Sequence, residues 1–295
     1  MHIHIKHSDN CLHSVEANKL HKHKALPHIS KLVTGNTLNY LNKIKKIHIE
    51  NSKLNEQDYS ALHNIFHKCD HLNELNMYSN HIETSNCHAL FDALSERQLT
   101  TMSFIDNWIG AKLPDNYFDA FKQQHEMSSI DFSLNWLGDK GISIFLNSLT
   151  KNIQKLQLSC NDFHLEGMIN IRNFILQCRH LSELDISYNR INEKSAEQIA
   201  HIINESTSIT CLKINNNEIG DKGASLIADT LNRTHTLATL DVSDNQISPS
   251  GAKDLIEKAS KNSTITQLNL RHNSLNSEEM NQIANRYTQT LEVLT

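Results

Sequence analysis

Apolar residues recur along the chain in a phrase of fixed shape. In Leu181-Ser-Glu-Leu184-Asp-Ile186-Ser-Tyr-Asn189-Arg-Ile191 they stand at offsets 0, 3, 5 and 10, with Asn at offset 8. The phrase starts at Ile44, Leu72, Leu99, Met127, Ile153, Leu181, Ile209, Leu237 and Ile265, at spacings of 28, 27, 28, 26, 28, 28, 28 and 28 residues. Offset 8 reads Ser52, Asn80, Asn107, Asn135, Asn161, Asn189, Asn217, Asn245 and Asn273. Offsets 3 and 5 alternate with the period of a strand, which points Leu184 and Ile186 inward and Glu183, Asp185 and Ser187 outward. Apolar residues then fall at offsets 15, 18, 19 and 22, as in Ala224, Ile227, Ala228 and Leu231, or Ile142, Phe145, Leu146 and Leu149. That spacing is one face of a helix. Between the two, the Asn must turn the chain, and its amide carries donors and an acceptor for backbone groups the bend would bury. No unit can bury both of its faces alone, so neighbours have to stack.

Two departures interrupt the register. Pro114 stands in the unit from Leu99 where its neighbours are helical, which should delay or distort that helix start. The spacings of 27 and 26 fall on either side of the Leu99 unit. Residues 1–43 do not fit the repeat. MHIHIK alternates like an edge strand, and the stretch to Asn42 reads as one or two short helices broken at Pro27 and Gly35. We expect an N-terminal cap over 1–43, a repeat array over 44–290, and at 291–295 (Leu291-Glu-Val-Leu294) a further unit begun and not completed.

The phrase resembles the leucine-rich repeat, and in its unit length of about 28 residues with a full helix it resembles the ribonuclease-inhibitor-like subclass. The resemblance covers roughly Ile44 to Tyr287. It implies an α/β right-handed solenoid, a horseshoe with a parallel sheet on the concave side and helices on the convex side. Composition agrees with a thin, regular core: 38% hydrophobic residues, 8 Gly and 3 Pro. The net charge of −5 argues against a general nucleic-acid binder. There is no apolar run of about 18 residues and no apolar stretch at the N-terminus, so no membrane span or secretory signal is expected. Six cysteines (Cys11, Cys69, Cys87, Cys160, Cys178, Cys211) are scattered, which fits a reducing, cytoplasmic setting and leaves the sequons at Asn204, Asn232 and Asn262 without meaning.

Candidate chemistry is sparse. Seven of nineteen histidines fall in the first 28 residues, in a segment that reads as a polar cap without Cys, Asp or Glu at metal-ligand spacing. Gly138-Asp-Lys-Gly141 and Gly220-Asp-Lys-Gly223 occupy one repeat position before a helix, where Asp139 and Asp221 should cap it or sit in its first turn. Cys69 and Cys178, each three residues before a unit's first leucine, read as buried spacers, whereas Cys160 and Cys211 fall on the concave face. Neither of the latter has a His or oxyanion site grouped with it, so no catalytic residue, metal or cofactor is expected. Bacterial leucine-rich-repeat ubiquitin ligases keep their chemistry in a separate cysteine-bearing domain, and none fits here.

The concave slots, offsets 2, 4, 6, 7 and 9, tell more. They hold ten acids and six bases, and their apolar residues concentrate in the units from Leu99 and Met127. The chain's only two tryptophans, Trp108 and Trp136, share offset 9 there, with Ile105 and Leu134 nearly level and Tyr78 and Tyr188 flanking. Strands about 4.8 Å apart set the two rings side by side. A cluster of large aromatics with an acidic rim is what a protein-binding hot spot needs. The candidate partner-binding set is Tyr78, Ile105, Asp106, Trp108, Asp131, Leu134, Trp136, Asp162, Asp185, Tyr188, Arg190 and Asp241. We expect a noncatalytic, monomeric module that binds another protein, one with a basic patch, through this face; the resemblance to the inhibitor subclass implies that it covers a partner enzyme's active site. The alternative is a scaffold or adaptor joining two proteins without altering either. In its Asn-, Lys- and Ile-rich repeats and the pair Glu278-Glu279, the chain is similar to effectors of intracellular bacteria such as Legionella, which implies delivery into a host cytosol and a host or bacterial partner.

Overall fold

The computed structural model describes residues 2–8, 12–15, 43–52, 54–80, 82, 90–95, 97–110, 112–275 and 291–295, with backbone alone for 2–8, 12–15 and 56. The short helices expected before Asn42, the side chains of the His-rich segment, His81 and Glu278-Glu279 lie outside them. The chain forms two compact units, 1–136 with 147–152 and 137–146 with 153–295.

In the first unit the strands run β2 (Leu12–Val15), β1 (His2–Ser8), β3 (Lys46–Glu50), β4 (Glu74–Tyr78), β5 (Thr101–Ile105) and β6 (Ser129–Asp131), in that spatial order. All pairs are parallel except β1 with β2. The alternation of MHIHIK thus does make a strand, but not an edge: β2 pairs on its outer side, which satisfies backbone groups an edge would expose. In the second unit β7 (Lys155–Gln157), β8 (Glu183–Asp185), β9 (Cys211–Lys213), β10 (Thr239–Asp241), β11 (Gln267–Asn269) and β12 (Glu292–Leu294) follow in order, every pair recorded being parallel. Helices α1 (Glu56–Lys68), α2 (Gly138–Ser148), α3 (Leu165–Ile175), α4 (Glu193–Glu205), α5 (Gly220–Leu231) and α6 (Pro249–Ala259) alternate with the strands, and α3 to α6 pack each on the next. This is the expected α/β leucine-rich-repeat solenoid.

The Asn ladder works as a zipper. The side chains of Asn80, Asn107, Asn135, Asn189, Asn217 and Asn273 reach back one repeat, accepting from the backbone N–H of the previous offset-8 residue and donating to a strand carbonyl. Asn161 and Asn245 accept instead from the offset-10 N–H of Leu137 and Ile219. Asn107 Oδ1 accepts from Asn80 N at 3.1 Å while its Nδ2 donates to Met77 O at 2.9 Å and Ile105 O at 3.0 Å. Asn189 does the same toward Asn161 N at 2.9 Å and Leu158 O at 3.2 Å. The residues before the Asn take left-handed backbone in unit after unit, among them Asn51, Asp106, Leu134, Cys160, Tyr188, Asn216 and Asp244.

Beneath β5 and β6 the core is aromatic. Phe91, Phe104, Tyr117, Phe118, Phe121 and Phe132 are buried together, with ring centroids 5.3 Å apart for Phe104–Phe132 and 4.7 Å for Phe91–Phe121. Pro114 has the expected effect: after Pro114 the Leu99 unit carries a short 3-10 helix, Asp119–Gln123, among turns. Bulky rings fill the space that a full helix would occupy, and buried Gln124 bonds Leu94 O, Arg97 O and Leu99 N in its place.

The Gly-Asp-Lys-Gly motifs place Asp139 and Asp221 in the first turn of α2 and α5, as expected, and each aspartate also reaches the start of a later helix. Asp139 accepts from His164 N and Gly167 N, at the start of α3, and Asp221 accepts from Ser248 N at 2.8 Å and Ser248 Oγ at 2.7 Å, ahead of α6. Asp139 therefore caps the next repeat's helix directly, while Asp221 holds Ser248, whose hydroxyl caps α6 by accepting from Ser250 N, and both tie neighbouring repeats together. The offset-14 glycines make this possible, since a Cβ on Gly167 or Gly251 would meet the capping carboxylate at 2.7 or 2.6 Å. We expect Asp221→Ala to lower stability by about 1 kcal/mol, a typical cap loss, read as a lowered urea midpoint with an unchanged slope.

Candidate partner-binding face

The face opposite the helices in the first unit carries the tryptophans. Thr101 pairs with Ser129 and Ser103 with Asp131, and the register runs on through Asp106 N to Ser133 O at 3.1 Å and Asn107 N to Asn135 Oδ1 at 3.1 Å. Trp108 and Trp136 consequently occupy the same slot of adjacent turns. They are 62% and 57% exposed, at backbone φ of +58° and +55°. A bulky residue in that left-handed region costs about 1–2 kcal/mol, and the same slot elsewhere holds Asp162 and Gln246. The scaffold thus does not ask for tryptophan there.

Around the pair, Leu134 and Tyr78 are exposed, and Ile105, half-buried, lies in register with Tyr78. Asp106 Oδ1 accepts the Trp108 indole N–H at 3.1 Å and its other oxygen takes the Ser79 hydroxyl, so the Trp108 ring is oriented by a carboxylate at its edge.

Three of the candidate aspartates carry a scaffold role that the sequence did not reveal. Asp131, Asp185 and Asp241 each accept the backbone N–H two residues on, from Ser133, Ser187 and Ser243 at 2.9, 3.0 and 3.0 Å, forming turns that end the strand. Those three serines, at offset 6, are buried and do not line the face as expected.

In the second unit the acids and bases of the face neutralise one another. Lys155 Nζ lies 3.1 Å from Glu183 Oε2, Lys213 Nζ 3.3 Å from Glu183 Oε1, and Arg190 Nε 2.6 Å from Asp162 Oδ1. Partial burial pushes the Glu183 carboxyl up, but the hydrogen bonds from Lys155 and Lys213 outweigh it and hold its pKa below the ordinary value. Burial likewise pulls Lys213 down, and the Glu183 bond with the Asp185 charge raises it overall. Both shifts favour the ion pair, which is in place above the ordinary carboxylate pKa and below the ordinary lysine pKa. Lys46 pairs with Glu74 on the first unit's face. These ion pairs engage Glu74, Asp162 and Glu183 and leave the surplus of acids counted along the chain in place. Tyr188 stands 55% exposed in the second unit.

Cys69 and Cys178 are buried spacers as expected, and burial pushes the Cys69 thiol up to about 12. Burial also raises the thiols of half-buried Cys160 and Cys211, which works against a thiolate nucleophile. Among the described residues no three His, Cys, Asp or Glu converge to hold a metal, and no helix is long and apolar enough to cross a membrane.

Comparison with known proteins agrees with this architecture. The family model described as Leucine Rich repeat matches residues 151–171, 177–200, 205–228 and 234–255. No curated protein matches the chain. An internalin (inlF) from Listeria monocytogenes is similar over 88% of this chain and 62% of its own, at 16% identity and a TM-score of 0.52. The TLR13–ssRNA13 complex is similar over 90% of this chain and 34% of that one, at 15% identity and a TM-score of 0.55. Leiomodin-1 Actin-Binding Site 2 overlaps 50% of this chain and 88% of its own at 15% identity, and with a TM-score of 0.42 it has no bearing on the argument. The repeated phrase, the strand and helix order and the family match over residues 151–255 agree on a leucine-rich-repeat solenoid fold.

Proposed function

We propose that the chain is a noncatalytic module that binds a partner protein through its sheet face, with Trp108 and Trp136 as the anchor. One observation carries this: two adjacent tryptophans stand more than half exposed on left-handed backbone that disfavours them. A soluble fold gains nothing from that arrangement, whereas a buried interface gains most from large, rigid aromatics with few rotors. Tyr78, Ile105, Leu134 and Asp106 complete the anchor in the first unit. Asp131 contributes at its margin; in the second unit Asp162, Asp185, Tyr188, Arg190 and Asp241 belong to the same proposed partner-binding set, and residues 1–43 serve as the cap. The raised thiols of Cys160 and Cys211 support a noncatalytic reading. The sharper form, drawn from the resemblance to the ribonuclease-inhibitor-like subclass, is that docking covers a partner enzyme's active site; delivery into a host cytosol rests on the separate similarity to effectors of intracellular bacteria.

The test is Trp108→Asn/Trp136→Asn. Asparagine tolerates left-handed backbone, so unfolding free energy should stay within about 1 kcal/mol of the parent or rise above it. Partner affinity should fall roughly 30-fold for each site, as for a hot spot of about 2 kcal/mol. A folded double variant that recovers the same partner with the same affinity would sink the anchor.

A further inference from the structure

The tryptophan pair differs from an ordinary apolar anchor in its charge. Across the two turns that bear it, the sheet-face slots read Thr101, Ser103, Ile105, Asp106, Trp108 and Ser129, Asp131, Leu134, Trp136. They hold two carboxylates and no Lys, Arg or His. A purely apolar occupant would strip water from both carboxylates at its border without offering them an opposite charge, which costs desolvation energy. A cationic occupant meets both needs.

The geometry around Trp108 narrows the cation. Its indole N–H points at Asp106 Oδ1, 3.1 Å away, so the ring and the carboxylate meet at one edge. A carboxylate has about four acceptor positions, and the indole and Ser79 donors occupy only part of them. A flat guanidinium laid on the exposed indole can direct its own N–H groups to the same carboxylate. Stacking and hydrogen bonding are then satisfied together. A lysine ammonium is compact and strongly hydrated and cannot do both in one plane.

Resting on the proposed protein-binding function, we infer that the partner presents an arginine side chain, which stacks on the Trp108–Trp136 pair and is held at its edge by Asp106. The occupant is thus an arginine-bearing segment of a partner protein, and the two turns form an arginine-selective pocket on the sheet face.

The protein carries its own reporter, because Trp108 and Trp136 are its only two tryptophans and their emission comes from this site alone. Intrinsic fluorescence of the full chain is titrated with three capped octapeptides, (Gly-Arg)4, (Gly-Lys)4 and (Gly-Gln)4, at one ionic strength. The arginine peptide should give a saturable change and bind roughly fivefold more tightly than the lysine peptide. The glutamine peptide should give no saturable response. Asp106→Asn keeps a residue suited to left-handed backbone and should bring arginine binding down to the lysine level, a change that loss of apolar contact alone would not produce. An equal response to the glutamine peptide, or none to any peptide, overturns the inference. Partner recovery that still depends on Trp108 and Trp136 while these peptides fail would leave the anchor standing and remove only the arginine; recovery that ignores both tryptophans removes the anchor as well.

Discussion

Replacing Asn107 with leucine is expected to cost about 4 kcal/mol of unfolding free energy. The side chains match in size, so packing changes little and the loss is polar. Leucine leaves the Asn80 N–H and the Met77 carbonyl without the partners that now stand at 3.1 and 2.9 Å, in a fully buried position. Each stranded buried group costs about 1–3 kcal/mol, because neither can turn to water. Asn107→Asp separates donor from acceptor: its carboxylate can still accept from Asn80 N but cannot donate to Met77 O or Ile105 O. It should be destabilising too, which explains why a ladder read down the sequence holds Asn and never Asp. Chemical denaturation followed by far-UV circular dichroism measures both, and a leucine variant within about 1 kcal/mol of the parent would show that the ladder is not a stabilising element. The turn that holds Asn107 also aims Trp108, so the variant should lose partner binding as it loses order.

Phe132→Ala is expected to lower stability by about 3–5 kcal/mol, the range for removing a large buried aromatic. Phe132 is fully buried, with its ring 5.3 Å from Phe104, 5.5 Å from Phe118 and 5.9 Å from Phe121. The site can collapse only poorly, since its neighbours are rings in edge-to-face contact and Pro114 has replaced a helix turn that could have shifted inward. Repeat units are stabilised by their neighbours, so the damage should spread along the first unit. Phe132→Leu should recover more than half of the loss. Differential scanning calorimetry distinguishes a shared decrease in melting temperature from a separate early transition of the first unit. Retention of the parent melting temperature in the alanine variant would show that the aromatic cluster is dispensable.

Much of the fold was legible because a repeat states its own register. Offsets 3, 5 and 8 recur often enough to identify strand, core and turn in every unit, and Pro114 announced the irregular one. The candidate site was legible in part. The slot shared by Trp108 and Trp136 could be read from spacing, but the left-handed backbone that makes those residues costly could not. Three of the chosen aspartates looked like free surface charge, yet the turn at Ser133, Ser187 and Ser243 uses them. Asp139 and Asp221 were legible as first-turn residues of their own helices, whereas their bonds to the start of the next repeat's helix were not.

By itself, the sequence determined the unit length, the inward and outward residues of each strand, the Asn turn and the uniqueness of the two tryptophans. These follow from short-range periodicity, which sterics and burial impose on any chain that stacks. Only the tertiary structure decided which charges remain for a partner. Lys155 and Lys213 reach Glu183, Arg190 reaches Asp162, and Ser79 reaches Asp106 through contacts between neighbouring turns. A carboxylate's availability depends on what stands within about 3 Å of it in space, and the spacing of letters along the chain does not carry that distance.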